Sequence, residues 1–302
     1  MTDILVKSVC YIGILVLGFV LRRKGFFDEH AFPLLMKLVT RITLPAALIA
    51  NAAGRRIDTS LLVIILLGFF TSVVYMIIAW AINRKRGPEQ QAFEILNTGG
   101  YNIGTFSLPF TQSFLGPVGV LTSSLFDLGN AFICLGTAYG VAASVKEGSR
   151  FDLKRIIRSL LHSIPFLTHI LTVSMNLAHL DFPGPVITFA QTLGSANTFL
   201  ALLMIGVGFN PDMDFSQLKT IRRVLTVRYT IAAVFALCFY FLMPFPLEVR
   251  QALVILAVSP IGSMMPPFTA ELKSDVGLSC TLVSLSILIS IPIYLVLLVV
   301  ML

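Results

Sequence analysis

Apolar residues along this chain gather into ten runs, at 4–21, 31–53, 61–82, 93–115, 117–143, 156–178, 186–209, 222–243, 250–270 and 277–302, parted by short polar connections. A helix needs about 20 predominantly apolar residues to cross a bilayer. The pattern therefore predicts an all-α polytopic membrane protein with ten transmembrane helices. The first run is followed by Arg22, Arg23 and Lys24. A signal peptide carries its charge before the run and a small-residue cleavage site after it, so this run is expected to remain as a helix.

Charge orients the spans, because Lys and Arg in short loops are retained on the cytoplasmic side. One set of alternate connections, around Arg22–Lys24, Arg84–Arg86, Lys146–Arg158, Lys219–Arg223 and Lys273, holds fifteen basic residues; the opposite set holds Lys7, Arg55, Arg56 and Arg250. This asymmetry predicts a multi-pass protein of the plasma (inner) membrane with both termini on the non-cytoplasmic side. The composition agrees, with 56% hydrophobic residues and 12% charged against about 25% charged in soluble domains.

Ten spans use up the 302 residues, leaving no separate catalytic domain, and an enzyme is not expected. The net charge of +7 reflects topology and is no sign of nucleic acid. Cys10, Cys134, Cys238 and Cys280 are scattered through apolar stretches, which suggests neither a disulfide framework nor a zinc site. His162 and His169 are seven apart, roughly 10 Å along a helix, and read as packing residues rather than metal ligands. A phosphate-binding glycine loop is missing too, so neither cofactor nor metal is expected.

The longest polar connection, 144–155, divides the runs five and five, into a first repeat at 1–143 and a second at 156–302. An odd number per half forces the second to insert upside down, the arithmetic of an inverted repeat. Unusual helices fall at matching places. The fourth run contains Asn97-Thr-Gly-Gly-Tyr-Asn-Ile-Gly-Thr-Phe-Ser-Leu-Pro109, and the ninth contains Ser259-Pro-Ile-Gly-Ser-Met-Met-Pro-Pro267. Glycine and proline there remove helix propensity and backbone donors. Unwound backbone survives in a bilayer only where protein or a water-filled cavity satisfies it. Two broken helices meeting near the midplane predict a site for a small ion or organic anion, since half-helix N-termini favour anions and C-termini favour cations; packing kinks are the plainer alternative.

Asp127 lies near the midplane of the fifth run, and two roles stay open for it. A desolvated carboxyl can load and release a proton; equally, it can cap the broken helices or pair with a cation. Asn130, one turn away on the same face, could orient it. Arg41, at similar depth in the second run, can bind a substrate carboxylate through its fork, pair with Asp127, or snorkel to the interface like Lys37. Asn97, Thr98, Asn102, Thr105, Ser107, Ser259 and Ser263 supply neutral donors and acceptors to the crossover, amid Gly100, Gly104, Pro109, Pro260 and Pro266.

Asn102-Ile-Gly-Thr-Phe-Ser-Leu-Pro109, with Gly116 seven further on, resembles the fourth-helix segment of the auxin efflux carrier family, whose plant members are the PIN auxin exporters. Ile42-Thr-Leu-Pro-Ala46, Asp127-Leu-Gly-Asn130 and Pro260 to Glu271 resemble its second, fifth and ninth helices, and the short central linker is like that of bacterial members. The resemblance implies a fold like that of sodium/proton antiporters and bile-acid symporters. Helices 1, 2, 6 and 7 would form a scaffold and helices 3–5 and 8–10 a moving transport domain, in a homodimer joined through the scaffolds. It also implies secondary transport of carboxylates. Asn102 matches the family's helix-4 asparagine, with a cap on the broken helix as its structural alternative. A secondary active transporter or uniporter of a small organic anion, working by alternating access, is thus expected, with proton exchange at Asp127 as the coupling hypothesis. Its rivals are a sodium-coupled symporter of the same fold, a channel, and a membrane enzyme or sensor, for which the loops are too short.

Overall fold

The computed structural model describes residues 2–28, 30–53, 58–148, 152–209 and 217–301. Arg55, Arg56 and Arg150, which entered the charge count, and part of the 144–155 linker lie outside them. All regular structure among the described residues is helical. In chain order the first half comprises α1 (Thr2–Arg23), α2 (Ala31–Leu38), α3 (Leu44–Ala52), α4 (Val63–Ile82), α5 (Pro88–Thr98), α6 (Leu108–Phe132) and α7 (Ala138–Glu147). The second comprises α8 (Leu153–His162), α9 (Ile164–Leu177), α10 (Gly184–Ser195), α11 (Asn197–Gly208), α12 (Leu218–Phe241), α13 (Leu247–Ala257), α14 (Met265–Glu271) and α15 (Val276–Met301).

Several of these are continuous. A π turn at Val39–Thr43 joins α2 to α3, another at Ile103–Ser107 leads into α6, and a third at Ile133–Thr137 joins α6 to α7. Boundaries follow local chemistry. Gly87, at φ 84°, precedes Pro88 at the first position of α5, where proline costs no hydrogen bond. Gly148 ends α7 in the left-handed conformation. Asp58 accepts from Ser60 N at 2.9 Å to start the 3-10 turn before α4, and that bond holds its carboxyl below the usual range. Gly116, at φ 56° before Pro117, kinks α6, dividing Ile103–Glu147 where the fourth and fifth runs meet.

Among the described residues, six helical stretches are long and apolar enough to cross a membrane, and the bent pair α8–α9, if it is one span, adds a seventh. The fourth and ninth runs fall short for the reason expected, since each is interrupted: α5 stops at Thr98 and α13 at Ala257. The sixth run departs from expectation. Instead of one span over 156–178, α8 and α9 meet at 77°, parted at Ser163, whose side chain caps α9. The fourteen residues of α9 extend only about 21 Å. α8 is amphipathic: Ile156 and Leu160 are buried, and Lys154, Arg155 and Arg158 are exposed, as in a helix lying along a membrane interface.

Two packing groups emerge. α1 lies on α11, with α3 against α10 and α9. Backbones touch there: a Cβ at Gly206 would stand 2.1 Å from Leu15 O, and one at Gly194 would stand 2.7 Å from Ala47 Cα. In the other group α4 packs on α6, α5 on α7, α12 and α6 on α13, and α14 on α15. Its tightest seam is α4–α6, where a Cβ at Gly68 would stand 2.0 Å from Phe126 O and one at Gly129 1.9 Å from Ile65 O. Leu44 and Leu48 of the first group share an apolar core with Phe106, Phe110 and Tyr294 of the second.

Candidate functional site

Between α5 and the π turn the chain unwinds over residues 99–102, and between α13 and α14 over 258–264. The two stretches cross antiparallel. Tyr101 and Ile261 form an isolated bridge, and Asn102 N donates to Pro260 O at 3.0 Å. Side chains complete the pairing that a sheet would supply. The Asn130 amide accepts from Tyr101 N at 2.9 Å and donates to Tyr101 O at 2.9 Å, while Ser286 Oγ accepts from Ile261 N at 3.0 Å. Asn130 and Ser286 thus buttress equivalent points of the two halves. Gly100 has φ +75°, and a Cβ on it would stand 2.6 Å from Cys134 Sγ. Only glycine meets both demands.

The orphan carbonyls of the interrupted helices converge on one residue. Arg228 of α12 is 1% exposed. Its guanidinium donates to Thr98 O at 2.6 Å, Ser259 O at 2.8 Å and Pro260 O at 2.9 Å. It lies 5.1 Å from the Tyr75 ring centroid and 5.4 Å from that of Tyr101, close enough for a desolvated cation–π contact of about 2 kcal/mol. Each half-helix C-terminus carries about half a negative charge. Together the ends of α5 and α13 match one guanidinium. Sequence reading missed Arg228. It follows Arg222 and Arg223 closely and merges with that basic cluster, although a lone arginine inside an apolar run was a visible signal.

Other polar residues of the crossover are mostly committed to each other. Asn97 is fully buried, donating to Phe93 O and Thr269 Oγ1 and accepting from Ser279 Oγ. It ties α5 to α14 and α15. Ser107, Ser259 and Tyr294 join their hydroxyls at 2.6, 2.8 and 2.9 Å. Pro109 O accepts from Tyr11 at 3.4 Å. Asn102 differs. Its Oδ1 accepts from Thr105, its side chain caps no backbone amide, and its Nδ2 donates to no group among the described residues. Ser263 and Pro266 flank the start of α14, partly exposed.

Asp127 adjoins the crossover. Its Oδ1 accepts from Asn130 Nδ2 at 3.0 Å, and its Oδ2 would stand 3.4 Å from a Cβ at Gly104, in the first turn of the resumed helix, where a carboxylate is favoured. Arg41 is not brought to it. That side chain is exposed in the π turn before α3, so neither the pairing with Asp127 nor a place at the crossover is found here. Lys37 is exposed as well. Another carboxylate, the buried Glu94, accepts from Arg223, Asn83 and Gln90, which saturates it. Among the described residues no three His, Cys, Asp or Glu side chains come together to hold a metal.

Residues 4–151 match a family described as membrane transport protein. That match covers the first five runs and ends in the central linker. A comparison with curated proteins finds no match. With its helical spans, the chain is a multi-pass membrane protein.

Proposed function

We propose that this protein is a secondary carrier of a small organic anion, of the auxin efflux carrier type, with ten spans in two inverted repeats. The observation that carries the reading is the antiparallel crossing of two unwound segments, each fourth in its half, buttressed alike by Asn130 and Ser286. Such backbone is retained in a bilayer where a ligand or cavity needs it. The partial family match and the resemblance of the motifs support the same class. The two packing groups support a division into a scaffold of helices 1, 2, 6 and 7 and a moving unit of the rest, with alternating access at their seam. Exposed apolar residues on α9 and α10, among them Leu171 and Phe189, suit a scaffold-to-scaffold homodimer.

The anion's place is the start of the resumed helix, where Asn102 Nδ2 is uncommitted and a carboxylate gains from the helix N-terminus. Asp127 holds that position, so a second carboxylate brought there is relieved of repulsion if Asp127 takes a proton, which is the basis for proton coupling. Sodium coupling is the second reading. A sodium ion at the crossover needs free carbonyls at the half-helix C-termini, and Arg228 already fills that role.

Uptake of labelled malate, malonate and indole-acetate into proteoliposomes, with and without a pH gradient and with sodium replaced by choline, tests the assignment. Uptake driven by the proton gradient without sodium is expected. Sodium-dependent uptake would revive the symporter reading, and non-saturable flux without counterflow would indicate a channel.

A further inference from the structure

Asp127 faces a second titratable group, one that the spacing argument had set aside as packing. Its Oδ2 lies 3.4 Å from His169 Nε2 of α9, with the side chains 16% and 1% exposed. That separation is loose for a hydrogen bond, and neither ring nitrogen of His169 has a partner of hydrogen-bond geometry. The two residues belong to different packing groups, so the pair straddles the seam at which α6 meets α9.

Beside it a narrow cleft runs between α3, α6 and α9, lined by Asn51, Ser124, Thr172 and Asn176 among apolar residues. Ser124 and Thr172 stand one helical turn from Asp127 and His169 on the same faces. All four polar residues lie toward the helix ends that the charge count places outside the cytoplasm. The cleft has about 20 Å³ of water-sized space, room for one water molecule.

We infer that Asp127 and His169 together form the proton site of the carrier, its two halves divided between moving unit and scaffold; the inference rests on the carrier reading above. A proton enters through the cleft onto the lone pair of His169 Nε2 and makes an imidazolium–carboxylate pair that holds α6 against α9. When α6 parts from α9, the Nε2–H bond breaks and an O–H bond forms on Asp127 Oδ2. Neutral imidazole stays on the scaffold and a neutral carboxyl travels with the crossover, releasing its proton on the other side. His169 is a positioning and proton-transfer residue in this scheme and touches no substrate.

The surroundings leave the pair to itself. In the π turn after α6, Cys134 reaches Asn130, as does Ser72 of α4. Arg228 of α12 is committed to three carbonyls. Arg41 before α3, the basic residues of α8 and Glu248 of α13 are exposed, and α11 carries no charged side chain.

The chain has four histidines, few enough to resolve by NMR of detergent-solubilised protein labelled at histidine Cε1, with the His169 signal identified by its loss in His169→Gln. Asp127→Asn is expected to change the response of that signal across a pH series, because the carboxylate facing the ring is gone. In proteoliposomes, His169→Gln is expected to flatten the pH dependence of uptake. A His169 signal that titrates alike in the parent and in Asp127→Asn overturns the pairing. An unaltered pH profile in His169→Gln overturns the transfer role. Should Asp127→Asn fail to fold, the carboxyl carbon of labelled Asp127, followed in His169→Gln, decides the same question. The spectroscopic arm needs no substrate, so it stands even if no carboxylate is carried.

Discussion

The hydrogen bonds of Arg228 all go to backbone carbonyls, so its removal strands acceptors rather than a counter-charge. Hydrogen bonds to a charged group contribute about 1.5–3 kcal/mol each, and Arg228→Met forfeits three. A loss of several kcal/mol is expected, read as a lower thermal unfolding midpoint in detergent; Arg228→Lys retains the charge but not the fork and is expected to recover only part of it. Asn102 presents the opposite case. Asn102→Asp keeps the acceptor for Thr105 and replaces the uncommitted donor by negative charge. Anion affinity is expected to fall tenfold or more with little change in stability, whereas Asn97→Ala, which breaks bonds to two helices, is expected to lower stability foremost. Equal effects on affinity from both substitutions would remove Asn102 from the site. Neither Arg228 nor His169 was legible as a site residue in the sequence. The carbonyl that Arg228 reaches on α5 is 130 positions away and belongs to backbone, which carries no residue-type signal, and His169 acquires its meaning only from Asp127 across the seam.

At the scale of elements, composition announced the breaks in the fourth and ninth runs because glycine and proline act locally on backbone. Among the described residues, the second, third, fifth, seventh, eighth and tenth runs fall in helical stretches long and apolar enough to cross. The bend between α8 and α9 was hidden, since Ser163 and Pro165 sit within an apolar run and proline at a helix start looks the same as proline at a kink. The π turns were equally silent: nothing in Val39–Thr43 distinguishes it from α-helix. Glycines within helices carried more than was read from them. Gly68 and Gly129 let α4 and α6 touch backbone to backbone, and a methyl group at Gly129 would overlap Ile65 O at 1.9 Å. Gly129→Ala is therefore expected to force the helices apart and to destabilise by more than the roughly 1 kcal/mol that helix propensity would return, read as a lower unfolding midpoint. Gly13→Ala, which meets nothing within 4 Å, serves as the control and is expected to be neutral or slightly stabilising.

For the molecule as a whole, the seam is where the proposed work is done, and what crosses it can be counted. Leu44 of α3 approaches Gly104 closely, a Cβ there lying 3.0 Å from Leu44 Cδ2, so the crossover rests on α3 with almost no clearance. In the proposed division Arg228 and Asp127 both belong to the moving unit, while His169 belongs to the scaffold. For the proposed carrier, the burial of Arg228 has an electrical consequence. With Asp127 ionised and no cargo, the two buried charges cancel. With Asp127 protonated and a monoanion aboard, guanidinium and cargo cancel instead. A single uncompensated charge moving through the full field would couple to voltage by about 2.3 kcal/mol per 100 mV, and neither half of the cycle carries one. An imposed membrane potential of either sign is expected to leave the initial rate of monocarboxylate uptake unchanged at fixed pH. A dianion, by contrast, should travel as net negative cargo and slow when the receiving side is made negative.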